Sequence, residues 1–133
     1  MELKAGIKGY AEIVVDEEKT AGHMGSGLLN VYATPCMVAL MEYTCQTSVN
    51  ECLEEGQGTV GTALNIKHLS ATPVGLKVWC ESELVEVDRR RLEFEVKAYD
   101  EAGLIGEGTH QRFIIDNEKF MSKTLSKLNK DTE

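Results

Sequence analysis

The order of periodicities in this chain predicts an α+β domain, with one long central helix against a five-stranded antiparallel sheet. Three observations carry that expectation. There is one helical segment, from Pro35 to Leu53; one strand-like segment precedes it; and four more follow, in which the apolar spacing changes from about 3.6 residues to about 2. A helix with one apolar face and a twisted antiparallel sheet with one apolar face bury each other, so the sheet should wrap the helix. The 133 residues suffice for one such core and not for two, so residues 1–133 form a single domain.

Taken in order, Tyr10 to Val15 alternates and then runs apolar, as a first strand does. Residues 16–30 are polar and spaced by Gly22, Gly25 and Gly27, a loop too long for a plain connector and suited to a lid. Thr34 and Pro35 mark the helix start, because threonine caps and proline has no N–H to leave unpaired. Gly56 and Gly58 end the helical region. On the next strand Val60, Thr62, Leu64, Ile66 and His68 share one face, with Gly61 on the other. A Pro73–Gly75 turn then leads to strands over Leu76–Val87, Arg91–Tyr99 and Ile105–Ile115, all expected as a meander, and the turn at residues 100–103 enters the last of them. The lysine-rich tail from Lys119 suggests a short helix that frays beyond Asn129.

Composition narrows the function. A net charge of -8 argues against nucleic-acid or anionic-membrane binding, since both require a positive field. Cys36, Cys45, Cys52 and Cys80 form no CxxC pair, and His23, His68 and His110 fit no ligand spacing, so neither a disulfide framework nor a metal site is expected. With no signal-like or membrane-length apolar run at the start, the chain reads as cytoplasmic. Apolar residues such as Trp79 and Val85 on the outer sheet face suggest a partner subunit.

Glu42 is the most informative residue. The series Val38, Glu42, Cys45, Val49 places it on the apolar helix face, where a carboxylate costs several kcal/mol unless paired or opened to a cleft. His68 is the expected partner, Gly61 offers a backbone that a ligand oxygen can approach closely, and Thr34 brings a hydroxyl to the mouth. Together they suggest a carbonyl-binding site. Cys36, near the helix start, is an alternative nucleophile if its pKa is depressed. Within one straight helix, Thr34 and Glu42 lie about 12 Å apart along the axis. Either Thr34 curls back from the loop or the site is assembled across a dimer interface.

The strings Val31-Tyr32-Ala33-Thr34-Pro35-Cys36-Met37-Val38-Ala39-Leu40-Met41-Glu42, Val60-Gly61-Thr62-Ala63 and His68-Leu69-Ser70-Ala71-Thr72-Pro73 resemble the fluoroacetyl-CoA thioesterase branch of the hotdog-fold superfamily. The likeness continues through Arg90-Arg91-Leu92 and Gly108-Thr109-His110-Gln111-Arg112 to Glu118-Lys119-Phe120. It implies a homodimeric hotdog enzyme hydrolysing a short acyl-CoA, with no metal or organic cofactor. It further implies Thr34, Glu42 and His68 as catalytic, the Gly61 N–H as the donor that polarises the thioester carbonyl, and Arg112 near the CoA portion. Glu42 would attack the thioester or activate water, and His68 would move protons. The lid departs from that family: His23-Met24-Gly25-Ser26-Gly27-Leu28-Leu29-Asn30 is shorter, glycine-rich and without phenylalanine, so fluoroacetyl selectivity is not implied.

Ordinary roles stand beside these. Thr34 is simply an N-cap, Gly61 a bulge marker, Arg112 a surface ion-pair residue facing Glu107 or Glu118, and Arg89-Arg90-Arg91 a solvated hairpin tip. As a functional cluster, Arg90 and Arg91 would meet CoA phosphates. Two other activities suit the same groove: a hydratase or dehydratase using the carboxylate and histidine, and a non-catalytic acyl-CoA sensor.

Overall fold

The computed structural model describes residues 2–132, with side chains to residue 129; the fraying expected beyond Asn129 lies outside those side chains. Five strands, β1 (Lys8–Val14), β2 (Gln57–His68), β3 (Lys77–Asp88), β4 (Arg91–Asp100) and β5 (Gly103–Asp116), form one antiparallel sheet in the order β1-β3-β4-β5-β2. The helices are α1 (Ala21–Met24), α2 (Thr34–Val49) and α3 (Asn117–Leu125). Helix α2 lies in the curve of the sheet, which is the hotdog fold. The expected four-strand meander is corrected: only β3, β4 and β5 follow one another, while β2 crosses to pair with β5 at the far edge. The connection after β2 is too long for a hairpin, and it is tied down where Thr72 Oγ1 donates to the buried Asp100 at 2.7 Å.

Alternation explains the core. Leu92, Phe94, Val96 and Ala98 of β4 are all buried and face α2, as their spacing predicts. The helix presents Met37, Leu40, Met41, Thr44, Cys45 and Val49, a stripe at three- and four-residue steps. Glu42 and Val38 therefore sit on the flank of that stripe rather than at its centre, and the Glu42 side chain keeps 40% of its exposure. Because the helix is apolar on more than one side, periodicity alone left its rotation open; the methionines and Leu40 decide it. The helix ends at Val49 and a 3-10 turn over Asn50–Cys52 finishes the segment expected to reach Leu53.

Two backbone features hold β2 in place. The pairing with β5 shifts register between Gly61 and Ala63, so a bulge interrupts the strand. Further along, Gly108 of β5 lies so close to the Asn65 carbonyl of β2 that an added Cβ would run into it. Since that obstacle is backbone rather than a movable side chain, Gly108→Ala should destabilise the protein by about 3 kcal/mol, the upper range for overpacking. Urea denaturation measures this, and a loss below about 1 kcal/mol would contradict the reading.

Candidate functional site

The residues expected as catalytic, together with Arg112, form two clusters along β2, while Arg90 and Arg91 lie apart from both. In the first, Thr34 opens α2 but does not cap it: the N-cap position is Ala33, which makes no side-chain cap bond. The Thr34 hydroxyl instead reaches His68 Nδ1 at 2.7 Å. His68 Nε2 is buried and has no hydrogen-bond partner among the described residues. The two tautomers give two uses. If Thr34 donates to Nδ1, Nε2 carries the proton and acts as an acid; if Nδ1 donates to Thr34, Nε2 is bare and acts as a base.

In the second cluster Glu42 faces Gly61 and Arg112. A Cβ on Gly61 would stand 2.9 Å from Glu42 Oε2, so the carboxylate rests directly over that glycine backbone. Arg112 Nη1 is 4.0 Å from Glu42 Oε2. Arg112 is only 7% exposed, with Nε donating to Thr59 Oγ1 at 2.8 Å and Nη2 to the Thr59 carbonyl at 2.9 Å. It pairs with neither Glu107 nor Glu118, and its side chain is turned inward, beside the carboxylate rather than toward solvent. Burial pulls its pKa down while the Glu42 charge acts the other way, and at neutral pH the guanidinium stays charged.

His68 and Glu42, expected as direct partners, are not joined by any hydrogen bond or ion pair among the described residues. The reason is geometric: Gly61 and His68 stand about 20 Å apart along an extended strand, and Thr34 and Glu42 about 12 Å along the helix. Cys36 is not activated, because desolvation raises its pKa. Cys45, next to the second cluster, is pushed up to about 12 by burial. The residue that sequence reasoning missed as a site member is His110, which joins Arg112 at 3.1 Å; its place two residues before Arg112 on the same strand face was the available signal.

At the tip of the β3–β4 hairpin Arg89 has φ 59°, a left-handed turn position. Arg91 is held by Glu86, Asp88 and Glu93 at 3.1 to 3.6 Å, whereas among the described residues the Arg90 side chain meets the Ile114 carbonyl at 3.2 Å and Asp116 at 3.8 Å. In the segment before α2 expected as a lid, a 3-10 turn (Glu17–Lys19) and α1 lead to Gly25 in the left-handed region, and residues 22–30 are all exposed, Leu28 at 97%.

His68 and His110 both have lowered pKa values, with desolvation as the largest cause in each case. Below the ordinary value of about 6.5, the unfolded chain takes up protons that the folded one refuses. Stability that is complete above that pH should therefore fall as pH drops through about 6.5 toward the depressed folded values. Urea midpoints at pH 7.5, 6.5 and 5.5 should decrease in that order; equal midpoints would mean that neither histidine is held neutral.

Comparison with known proteins relates the whole chain to one family. The family model for the fluoroacetyl-CoA-specific thioesterase matches residues 15–118. The fluoroacetyl-CoA thioesterase of Streptantibioticus cattleyicolor is 38% identical over 131 residues, covering 94% of each chain. A solved structure of the fluoroacetyl-CoA thioesterase FlK superposes with a TM-score of 0.91 at 38% identity, over 96% of this chain and 98% of that one. A mutant FlK structure in complex with fluoroacetate and CoA gives 0.84 at 39% identity, over 89% and 99%. A hotdog fold with this family's match along most of its length establishes that the chain belongs to the fluoroacetyl-CoA-specific thioesterase family.

Proposed function

We propose that this protein is an acyl-CoA thioesterase that cleaves a short-chain acyl-CoA to the free acid and CoA, working as a homodimer. The observation that carries the proposal is the Glu42 carboxylate lying over the Gly61 backbone, on the same edge strand that holds the Thr34-linked His68. The Gly61 N–H meets the charge that develops on the thioester oxygen, a contribution of about 3 kcal/mol for one such donor. Glu42 either attacks the carbonyl carbon to give a mixed anhydride that water then cleaves to the free acid, or takes a proton from a water that attacks directly. On both routes the carbon–sulfur bond breaks and His68 Nε2 transfers the proton that the departing thiolate needs. Arg112 holds Glu42 at the reacting end of the substrate. Arg90, with Arg91 braced beside it, meets the CoA phosphates. A mutant of the relative FlK solved with fluoroacetate and CoA supports this substrate class. The glycine-rich lid, free of phenylalanine, gives no support for selectivity toward fluoroacetyl, so the proposal covers short acyl groups without choosing among them.

The dimer joins the two clusters. Strand β2 pairs only with β5, so its other edge has backbone groups without a strand neighbour among the described residues. Residues 61–65 are exposed along it, including Leu64. Antiparallel pairing with a second copy centred on Leu64 and Asn65 sets His68 of one chain opposite Gly61 of the other, because the residue numbers of facing positions have a constant sum. Each site then takes Thr34 and His68 from one protomer, and Glu42, Gly61 and Arg112 from the other.

Thiol release from a panel of short acyl-CoAs tests the activity. Turnover should be seen, and Glu42→Gln and His68→Ala should each reduce it at least about a hundredfold with the fold intact. Binding without release would favour a sensor, and loss of enoyl absorbance a hydratase. Subunit mixing tests the assembly. Unfolding and refolding Glu42→Gln with His68→Ala in equal amounts should restore about a quarter of wild-type activity, because half the dimers are mixed and each has one intact site of two. No recovery in verified mixed dimers would place the whole site within one chain.

A further inference from the structure

We propose that His110 is a positioning residue for this reaction: its neutral imidazole, with the proton on Nδ1, fixes both the Arg112 guanidinium against Glu42 and the β2 bulge beside Gly61. The proposal rests on the thioesterase reading above. His110 is 1% exposed and stacks on Phe94 with ring centroids 6.3 Å apart, so the ring has little freedom to turn. Its Nδ1 is 2.9 Å from the Ala63 carbonyl, a group that can only accept, so Nδ1 must carry a proton. Its Nε2 is 3.1 Å from Arg112 Nη1, a group that can only donate, so Nε2 must be bare. The two bonds together demand a single tautomer and exclude the imidazolium, which would set a second N–H and a like charge against the guanidinium.

The consequences reach both halves of the second cluster. Ala63 is the residue at which pairing with β5 resumes after the bulge, so the His110–Ala63 bond pins the backbone two residues from Gly61. Arg112 is held on one side by Thr59 and on the other by His110, which leaves Nη1 oriented at Glu42. His110 Cε1 lies 3.1 Å from where a Gly61 Cβ would stand, so the ring also forms the wall beside the glycine. The charged groups that act on the ring are Arg112, Glu42 and Glu93; burial outweighs the two carboxylates and keeps its pKa low.

The two bonds can be removed separately. His110→Gln keeps an acceptor near the Nε2 position for Arg112 and loses the donor to Ala63, whereas His110→Asn keeps a donor near Nδ1 and loses the acceptor. Each variant should lower turnover about tenfold or more, with the Michaelis constant changed less than about threefold. In an Arg112→Ala background, His110→Asn should cost less than about twofold more, because its effect runs through the arginine. Full turnover in both variants, or a full additional loss in the Arg112→Ala background, would overturn the proposal. Nitrogen-15 NMR of the wild-type imidazoles decides the tautomer even if the variants fail to fold. At pH 8 Nδ1 should be protonated and Nε2 bare, and an imidazolium or an Nε2–H signal for His110 at that pH would refute the assignment. That spectrum is independent of turnover, so absence of thioesterase activity in the wild type would count against the functional reading alone.

Discussion

A guanidinium buried inside a small domain constrains everything around it. Removing such a charge from water costs several kcal/mol unless its donors are met, and Arg112 meets them with Thr59, His110 and the nearby Glu42 carboxylate. Thr59 lies on β2 and His110 on β5, so satisfying the arginine clamps the edge strand β2 to its neighbour β5 where their register slips. Glu42 approaches from the helix, so the same charge also ties the rotation of α2 to the sheet. The glycine at position 61 follows from these demands, because a carboxylate, an imidazole and a guanidinium already occupy the space where its side chain would be.

Much of this was legible in the sequence, though unevenly. The alternation of Leu92, Phe94, Val96 and Ala98 specified which face of β4 is inside, since a period of two admits only two answers. The phase of α2 was harder, because an apolar helix satisfies several rotations, and Glu42 was placed at the centre of a face whose edge it occupies. Thr34, His68, Gly61 and Arg112 could be picked out as chemistry-bearing, yet their grouping could not. Hydrogen-bond choice is a three-dimensional competition: Thr34 gives up capping for His68, and Arg112 turns inward to Thr59 instead of pairing at the surface. Strand order escaped for a related reason, since the crossover after β2 is fixed by contacts such as Thr72 with Asp100, far apart in the chain.

The division of the site into two clusters has a simple origin. A helix rises about 1.5 Å per residue and a strand about 3.3 Å, so residues that start together on the two elements separate as they are followed along the chain. A single protomer of this fold thus supplies a hydroxyl–imidazole pair at one end of β2 and a carboxylate–guanidinium pair toward the other. In the dimer proposed above, a two-fold axis across the edge strand would set one end of β2 against the other without any new element.

The exposed segment before α2 has a different kind of consequence. Residues 22–30 are exposed without exception, so the domain's stability depends little on their identity. Selection can rewrite such a stretch without first finding compensating changes in the core. In that sense the scaffold and this exposed segment are separable, and the segment can change while the fold hardly notices.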